Sequence, residues 1–266
     1  MSLCQRYGVT PAGFYASRRR GPSRHAEQDR LLSEEITRLF QRHHGRYGSP
    51  RLYHLLVNAG WRTSRRRVAR LMRAAGLRAR AVHGYRAKAH IHHLYARHPN
   101  RLWDARATAP NQVWVGDITY LKVASRWCYL AIVMDQYSRR ILAWSLTRRR
   151  TAAVTGAVLA EAARRRPAAG VIFHSDRGIE YMGAPFCERV TDLGLVQSAS
   201  VRGPGDNPHA ESFFHTLKAE LTRGAHFATE RALRRALIGY IQYYNTTRLH
   251  SALNYRSPLA FERAAA

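Results

Sequence analysis

Apolar positions along this chain recur first at helical and then at strand spacing. From Gln28 to His44, Leu31, Leu32, Ile36, Leu39 and Phe40 fall on one helical face, and Gly45 ends the pattern. A second helix is punctuated by Ser49 as N-cap and Pro50 at the first turn, with Leu52, Leu55 and Leu56 inside and Gly60 as the stop. A third runs from an N-cap at Ser64 to Gly76, with Val68, Leu71, Met72 and Ala75 on one face. Only Gly60, Trp61, Arg62 and Thr63 separate these two helices, a spacing that reads as helix-turn-helix. From Asn111 the pattern alternates instead. VWVGDITYLKV (113–123), CYLAIVMD (128–135) and RILAWSLT (140–147) are strands joined by short turns, an antiparallel meander. A small apolar helix (151–166) follows, then GVIFHSD (170–176), whose nearly continuous apolar run suits a buried strand. A helix near 184–193 stops at Gly194, and VQSAS (196–200) is a further strand. The order predicts an α/β class: a mixed five-stranded sheet with flanking helices, preceded by an all-α domain.

The stretch 203–220, GPGDNPHAESFFHTLKAE, opens with turn-formers and closes as a helix. Asn207 suits the N-cap and Pro208 the first helical position, so Glu211, His215 and Lys218 share one face. A long amphipathic helix from Thr229 to Asn245 presents Leu233, Ala236, Leu237, Tyr240, Ile241 and Tyr244, and reads as packing. The organisation is therefore a basic N-terminal arm (1–24), a helix-turn-helix domain (25–80), a basic linker (81–110), the sheet domain (111–225), and a C-terminal helix and tail packed on it (226–266).

Charge gives these elements a partner. Across 266 residues, 44 Lys and Arg face 17 Asp and Glu, a net charge of +27. Such an excess repels itself and calls for a polyanion. Arg far outnumbers Lys, and the excess leans to the first 110 residues, at +18 against +9 for the remainder. On the third helix, Arg65, Arg66, Arg67, Arg70 and Arg73 fill most of the polar face; it either meets a DNA groove or carries a solvated basic surface. The arm is either DNA-tracking or merely solvated. His83, His90, His92, His93 and His98 crowd the linker, where metal binding is the alternative to a plain basic connection. Cys4, Cys128 and Cys187 form no CxxC pair, which argues against a disulfide framework or a thiolate zinc site and fits a reducing cytoplasm. No apolar run approaches the length of a membrane span.

Acids are scarce, so their positions are informative. Asp117 interrupts an apolar strand, Asp176 ends the buried one, and Glu211 lies on the helix after the last strand. If the first and fourth strands are neighbours, Asp117 and Asp176 converge and Glu211 closes the site. Three carboxylates suit Mg²⁺ or Mn²⁺, and a two-ion arrangement suits phosphoryl displacement. The alternative makes the two aspartates turn or salt-bridge residues.

Seven stretches, in order, carry a resemblance: YGSPRLYHLL, RVARLMRAAGL, WVGDITYL, YSRRILAW, IFHSDRGIEYMG, GDNPHAESFFHTLKAE and YIQYYNTTRLHSALNYRSPLAFE. The chain resembles insertion-sequence transposases of the DDE superfamily, relatives of retroviral integrases, and within them the second-reading-frame product of the insertion-sequence-three family. The resemblance implies an RNase H-like catalytic core. It places the acidic triad on Asp117, Asp176 and Glu211, and a DNA-contacting lysine on Lys218, with His215 a turn before it and Asn207 in the signature that precedes the Glu. It implies two Mg²⁺ or Mn²⁺ ions, cleavage at element ends, and strand transfer. It further implies double-stranded DNA as partner, a homo-oligomer on that DNA, and an upstream-frame helix-turn-helix and leucine-zipper product as a second partner. A nuclease or resolvase of the same fold, and a non-catalytic DNA-binding protein from a decayed element, are the competing readings. In the tail, Arg248 and His250 either reach DNA or clamp the tail to the core.

Overall fold

The strand that carries Asp117 is the centre of the sheet. β1 (Val113–Val123) is β-branched and aromatic, and pairs antiparallel with β2 (Arg126–Asp135), which pairs antiparallel with β3 (Ile141–Thr147). On its other edge β1 runs parallel to β4 (Ile172–Ser175), which runs parallel to β5 (Val196–Ala199). The order is thus β3-β2-β1-β4-β5, the mixed five-stranded sheet expected. This is a computed structural model, and it describes residues 3–19, 21, 23–80, 98–102, 107–201 and 207–265. Most of the linker, with His83, His90, His92 and His93, lies outside the described residues, as does the glycine-rich stretch 202–206 before Asn207.

The chain divides into two units, Met1–Arg80 and Ala81–Ala266. In the first, α1 (Leu3–Arg6) and α2 (Pro11–Arg19) occupy the expected arm, and no residue of α2 is buried. α3 (Arg24–Arg42) begins earlier than its apolar pattern, because the Ser23 hydroxyl accepts from the Ala26 N–H and caps it there. α4 (Ser49–Asn58) takes Gly48 as its cap, so Ser49 is the first helical residue rather than the cap. α5 (Arg65–Ala74) starts at Ser64, whose hydroxyl accepts from the Arg67 N–H. Leu32 and Ile36 of α3, Leu52 and Leu56 of α4, and Val68 of α5 are almost wholly buried, so the three helices share one small core. Gly60, at φ +87°, turns the chain between α4 and α5.

In the second unit the sheet is covered on both faces. Val113, Val115, Leu121 and Val123 of β1 pack with α9 (Pro208–Leu217) and α10 (Glu230–Thr246), through Phe213, Leu217, Leu233 and Tyr240. Trp114, on the opposite pleat, packs with α6 (Ala152–Arg165) and α8 (Ala184–Asp192), through Leu159 and Phe186. A one-turn helix, α7 (Ile179–Met182), follows β4 and was not expected. α9 does not end cleanly. It passes into a π-helical turn, Lys218–Thr222, which no spacing in the sequence announces. A 3₁₀ turn (Ser251–Leu253) and α11 (Pro258–Arg263) complete the chain. Glu262 of α11 accepts from Ser138 Oγ (2.7 Å) and pairs with Arg140 (2.7 Å) and Arg166 (2.6 Å), which fastens the tail beside the β2–β3 turn.

One position sets how closely the sheet is packed beside Asp117. A Cβ on Gly116 would lie 2.3 Å from Phe173 Cζ, inside a ring that is itself 1% exposed. Gly116→Ala therefore overpacks the core and lowers stability by about 1–3 kcal/mol, which thermal unfolding followed by circular dichroism would measure.

Candidate active site

The two parallel strands bring two acids to one end of the sheet. β1 pairs with β4 only as far as Val115 opposite His174, so Asp117 lies just beyond the point where β4 ends. Asp176 is the first residue after β4, exposed, and its Oδ1 accepts from the Gly178 N–H at 3.0 Å. This is the carboxyl end of β4, at the point where β1 loses its parallel partner and leaves room for functional groups. Glu211 stands in the first turn of α9, partly buried, on the helix packed against β1.

Their charges meet at Asp117. Burial is the largest influence on its carboxyl and pushes it well above the ordinary carboxylate range. The negative charge of Asp176 adds to this; the Ile118 N–H, 2.7 Å from Oδ1, opposes it, and Glu211 and Glu180 push upward again. The three predicted acids therefore occupy one electrostatic neighbourhood. They are not drawn into a closed ligand shell: among the described residues no three His, Cys, Asp or Glu side chains are placed to hold an ion. Like charges without a counter-ion repel, so an open arrangement is the expected one.

Glu180 escaped the sequence reading. It is 3% exposed; its Oε1 lies 3.4 Å from Arg150 Nε, and its Oε2 has no hydrogen-bond partner. The signal was present in SDRGIEYMG: four residues past Asp176, a one-turn helix brings a side chain back toward it.

The remaining predicted residues separate into two groups. Lys218 opens the π-helical turn, half-buried, with Nζ 4.8 Å from the Tyr120 ring centroid. Burial lowers its ammonium from the ordinary value, and Asp117 works against that. His215 sits on α9 a turn earlier, partly buried. Asn207, expected among the DNA contacts, is 6% exposed, and its Nδ2 donates to the Gly116 carbonyl at 3.0 Å. It does not cap α9 through its side chain; it ties the start of that helix to β1 beside Asp117. Of the five arginines on α5, Arg65, Arg66, Arg70 and Arg73 are exposed. Arg67 Nε donates to Asp29 Oδ1 at 2.7 Å and Arg70 to Asp29 Oδ2, so these two hold α3 to α5. Arg70, then Arg67, keep the Asp29 carboxyl below its ordinary value in spite of burial.

The tail resolves the open alternative for Arg248. It is 4% exposed, and its guanidinium donates to both oxygens of Glu220, 2% exposed, at 2.7–3.1 Å. Tyr240 Oη donates to the same carboxylate at 3.0 Å. Burial alone would lower the Arg248 guanidinium; the Glu220 carboxylate overrides it and holds the group above its ordinary value. Arg248 is a clamp on the π-helical turn, not a surface residue. His250 is 9% exposed, stacked edge-on against Tyr244 at 4.6 Å. No helix among the described residues is long and apolar enough to cross a membrane.

Comparison with known proteins agrees with this fold. Residues 107–204 match the integrase core domain, residues 211–265 match a second description of the integrase core domain, and residues 26–85 match an HTH-like domain. The transposase for insertion sequence element IS904 of Lactococcus lactis is 38% identical over 250 residues, 92% of this chain and 98% of that protein. Transposase InsF for insertion sequence IS3A of Escherichia coli is 35% identical over 267 residues, 98% of this chain and 93% of that protein. A chain in the cryoEM structure of the simian T-cell lymphotropic virus intasome with PP2A regulatory subunit B56 gamma shares the fold. It covers 85% of this chain and 74% of its own length, at 18% identity and a TM-score of 0.50. The chain belongs to the family of insertion-sequence transposases that includes those of IS904 and IS3.

Proposed function

We propose that this protein is a DNA transposase that hydrolyses a phosphodiester at each end of an insertion sequence and joins the freed 3′ ends to target DNA. The observation that carries the reading is the convergence of the charges of Asp176 and Glu211 on the desolvated Asp117, in a chain whose net charge is +27. A basic protein that brings three of its 17 acids to one sheet end, at a cost in repulsion, has a use for them.

The donor set fits a divalent cation. All three groups are carboxylates, hard oxygen donors that suit Mg²⁺ or Mn²⁺, and their mutual repulsion is what such a charge relieves. Asp117, Asp176 and Glu211 would hold it. Bound there, one or two such ions would supply Lewis acidity at the phosphate and ease deprotonation of the attacking water. The rest falls to the chain. Asp117 is fixed by the central strand and by the Ile118 N–H, and Asn207 holds the Glu211 helix against the same strand. Lys218, on the same helix as Glu211, presents its ammonium to the phosphate backbone, with His215 beside it. Arg65, Arg66 and Arg73 extend the positive surface of the helix-turn-helix unit toward DNA. Catalysis is then positioning and charge neutralisation, without a covalent protein–DNA bond. Two element ends need two catalytic units, so the working form is a homo-oligomer on DNA. An upstream-frame partner with a leucine zipper would assist that pairing.

A metal-dependent nuclease of the same fold would hydrolyse and stop. Supplying a pre-cut element end and a target plasmid in Mg²⁺ distinguishes the two. Joined products are the expected outcome; nicked plasmid with no joined product would assign the nuclease.

A further inference from the structure

Near the β1–β2 turn the sheet face that packs on α6 and α8 loses its cover. Ile118 is still packed there; Tyr120 and Lys122, next on the same face, are exposed. Tyr120 stands opposite Tyr129, and Lys122 opposite Trp127. Tyr120 is 58% exposed and Trp127 52%, and their rings meet edge-to-face with centroids 5.1 Å apart. Above Tyr120 lies the Lys218 ammonium, 4.8 Å from the ring centroid. Exposed aromatics on a regular strand carry a solvation cost that calls for an occupant.

Charge says what occupant. Lys122 and Arg126 are exposed on the same hairpin, and no acidic residue lies between Asp117 and Asp135. The surface therefore offers flat apolar rings inside a field of cations, which is the composition of a site for bases on a phosphate backbone. Bases in an intact duplex are stacked away from such rings, so the base must be unpaired. Distance says where. Tyr120 follows Asp117 by three residues, about 10 Å along the strand at 3.3 Å per residue, and points from the opposite pleat; Lys218, over the Tyr120 ring and in the field of Asp117, relates the two. An unpaired strand extends to about twice the duplex rise of about 3.4 Å per nucleotide, so a path around the sheet edge from a phosphate at Asp117 to the rings takes a few nucleotides.

We infer that Tyr120, Trp127 and Lys218 form a stacking site for an unpaired base of the DNA strand being processed, a few nucleotides from the phosphate held at Asp117. The inference rests on the reading of the protein as a DNA-processing enzyme, and adds to it that the strand is locally unpaired at the site. The aromatic pair supplies the stacking faces, and Lys218 binds the adjacent phosphate while holding the Tyr120 ring.

The test uses the full chain and fluorescence anisotropy with labelled DNA. One duplex is blunt, one carries a three-nucleotide single-stranded tail on either strand, and one carries the same tail with abasic sites. The parent binds a tailed duplex about tenfold more tightly than the blunt one, the gain expected from one base–aromatic stack. The abasic tail removes the gain. Trp127→Ala and Tyr120→Ala bring the tailed duplex down to the blunt value, and Trp127→Phe retains the preference. Both side chains are about half exposed, so the core survives their truncation. A parent without tail preference, or alanine variants that keep it, overturns the stacking site. So does a Trp127→Ala variant that keeps its tail preference while its DNA-free sedimentation falls from dimer to monomer, because the patch is then a self-association surface. Asp117→Asn separates this from the chemistry: it keeps the tail preference while joining is lost. Joining by the parent without tail preference removes the stacking site and leaves the transposase reading in place.

Discussion

Asp117→Asn raises the melting temperature of the metal-free protein and at the same time abolishes its chemistry. The two effects have one origin. Asp117 is partly buried and lies in the field of Asp176 and Glu211, so its ionised form is costly in the folded state and inexpensive in the unfolded chain. An acid raised in the folded state leaves stability untouched below its ordinary value of 3.8 and removes stability as pH rises from there through the raised value. Asparagine has no such penalty. Parent and variant should therefore melt together near pH 3.8 and diverge above it, with the variant higher by about 2–4 °C for each kcal/mol relieved in a domain of this size. The same substitution removes a donor oxygen from the centre of the carboxylate set. Joining should fall by at least about a hundredfold, the order lost when one preorganised electrostatic group is removed from an active site. Melting curves across pH, without metal, and joining rates at neutral pH check both halves. Equal melting temperatures at every pH would refute the electrostatic account, and joining within tenfold of the parent would refute the catalytic one.

Arg248→Met is the largest expected loss of stability. It leaves the Glu220 carboxylate at 2% exposure with the neutral Tyr240 hydroxyl in place of a bidentate guanidinium. Removing one partner of a buried pair costs about 3–5 kcal/mol, because the remaining charge is left in a medium that solvates it poorly. A drop of about 10 °C in melting temperature follows. Replacing both partners, Arg248→Met with Glu220→Gln, should recover most of it, since no buried charge remains. Glu220 lies in the π-helical turn that begins at Lys218, so the single variant should also weaken DNA processing by loosening that lysine. A single variant that melts within 2 °C of the parent, a change of about 1 kcal/mol or less, would mean that the pair does not hold the turn.

Most of the elements and the β1–β2–β3 meander were legible because their signals are local. Ser64 and Gly76 bracket α5 by capping chemistry, and the two-residue alternation of β1 fixes which side chains meet each helix layer. The approach of Asp117 to Asp176 followed from one topological condition, that the first and fourth strands pair, and they do. What was not legible depends on contacts between distant residues. The π-helical turn is held by Arg248, 28 residues beyond Glu220, and nothing in LKAELT marks it. Arg67 and Arg70 look unpaired from their helix alone; Asp29, 38 residues before Arg67, pairs with both, and Arg70 stays exposed. Asn207 fits a capping position by type, but the Gly116 carbonyl, 91 residues away, takes its amide. Glu180 was hidden for another reason. Its burial against Arg150 and its effect on Asp117 appear only once β4 and α7 are folded.

The central claim is that Asp117, Asp176 and Glu211 act as one catalytic unit. Single-turnover joining of a pre-cut end in Mg²⁺ tests it most directly, with Asp117→Asn, Asp176→Asn, Glu211→Gln and the double variant Asp117→Asn/Asp176→Asn beside the parent. Groups that act as a unit are non-additive, so each single variant should fall to the same floor and the double variant should fall no further. Losses that multiply in the double variant, or any single variant that joins at the parent rate, would contradict the account.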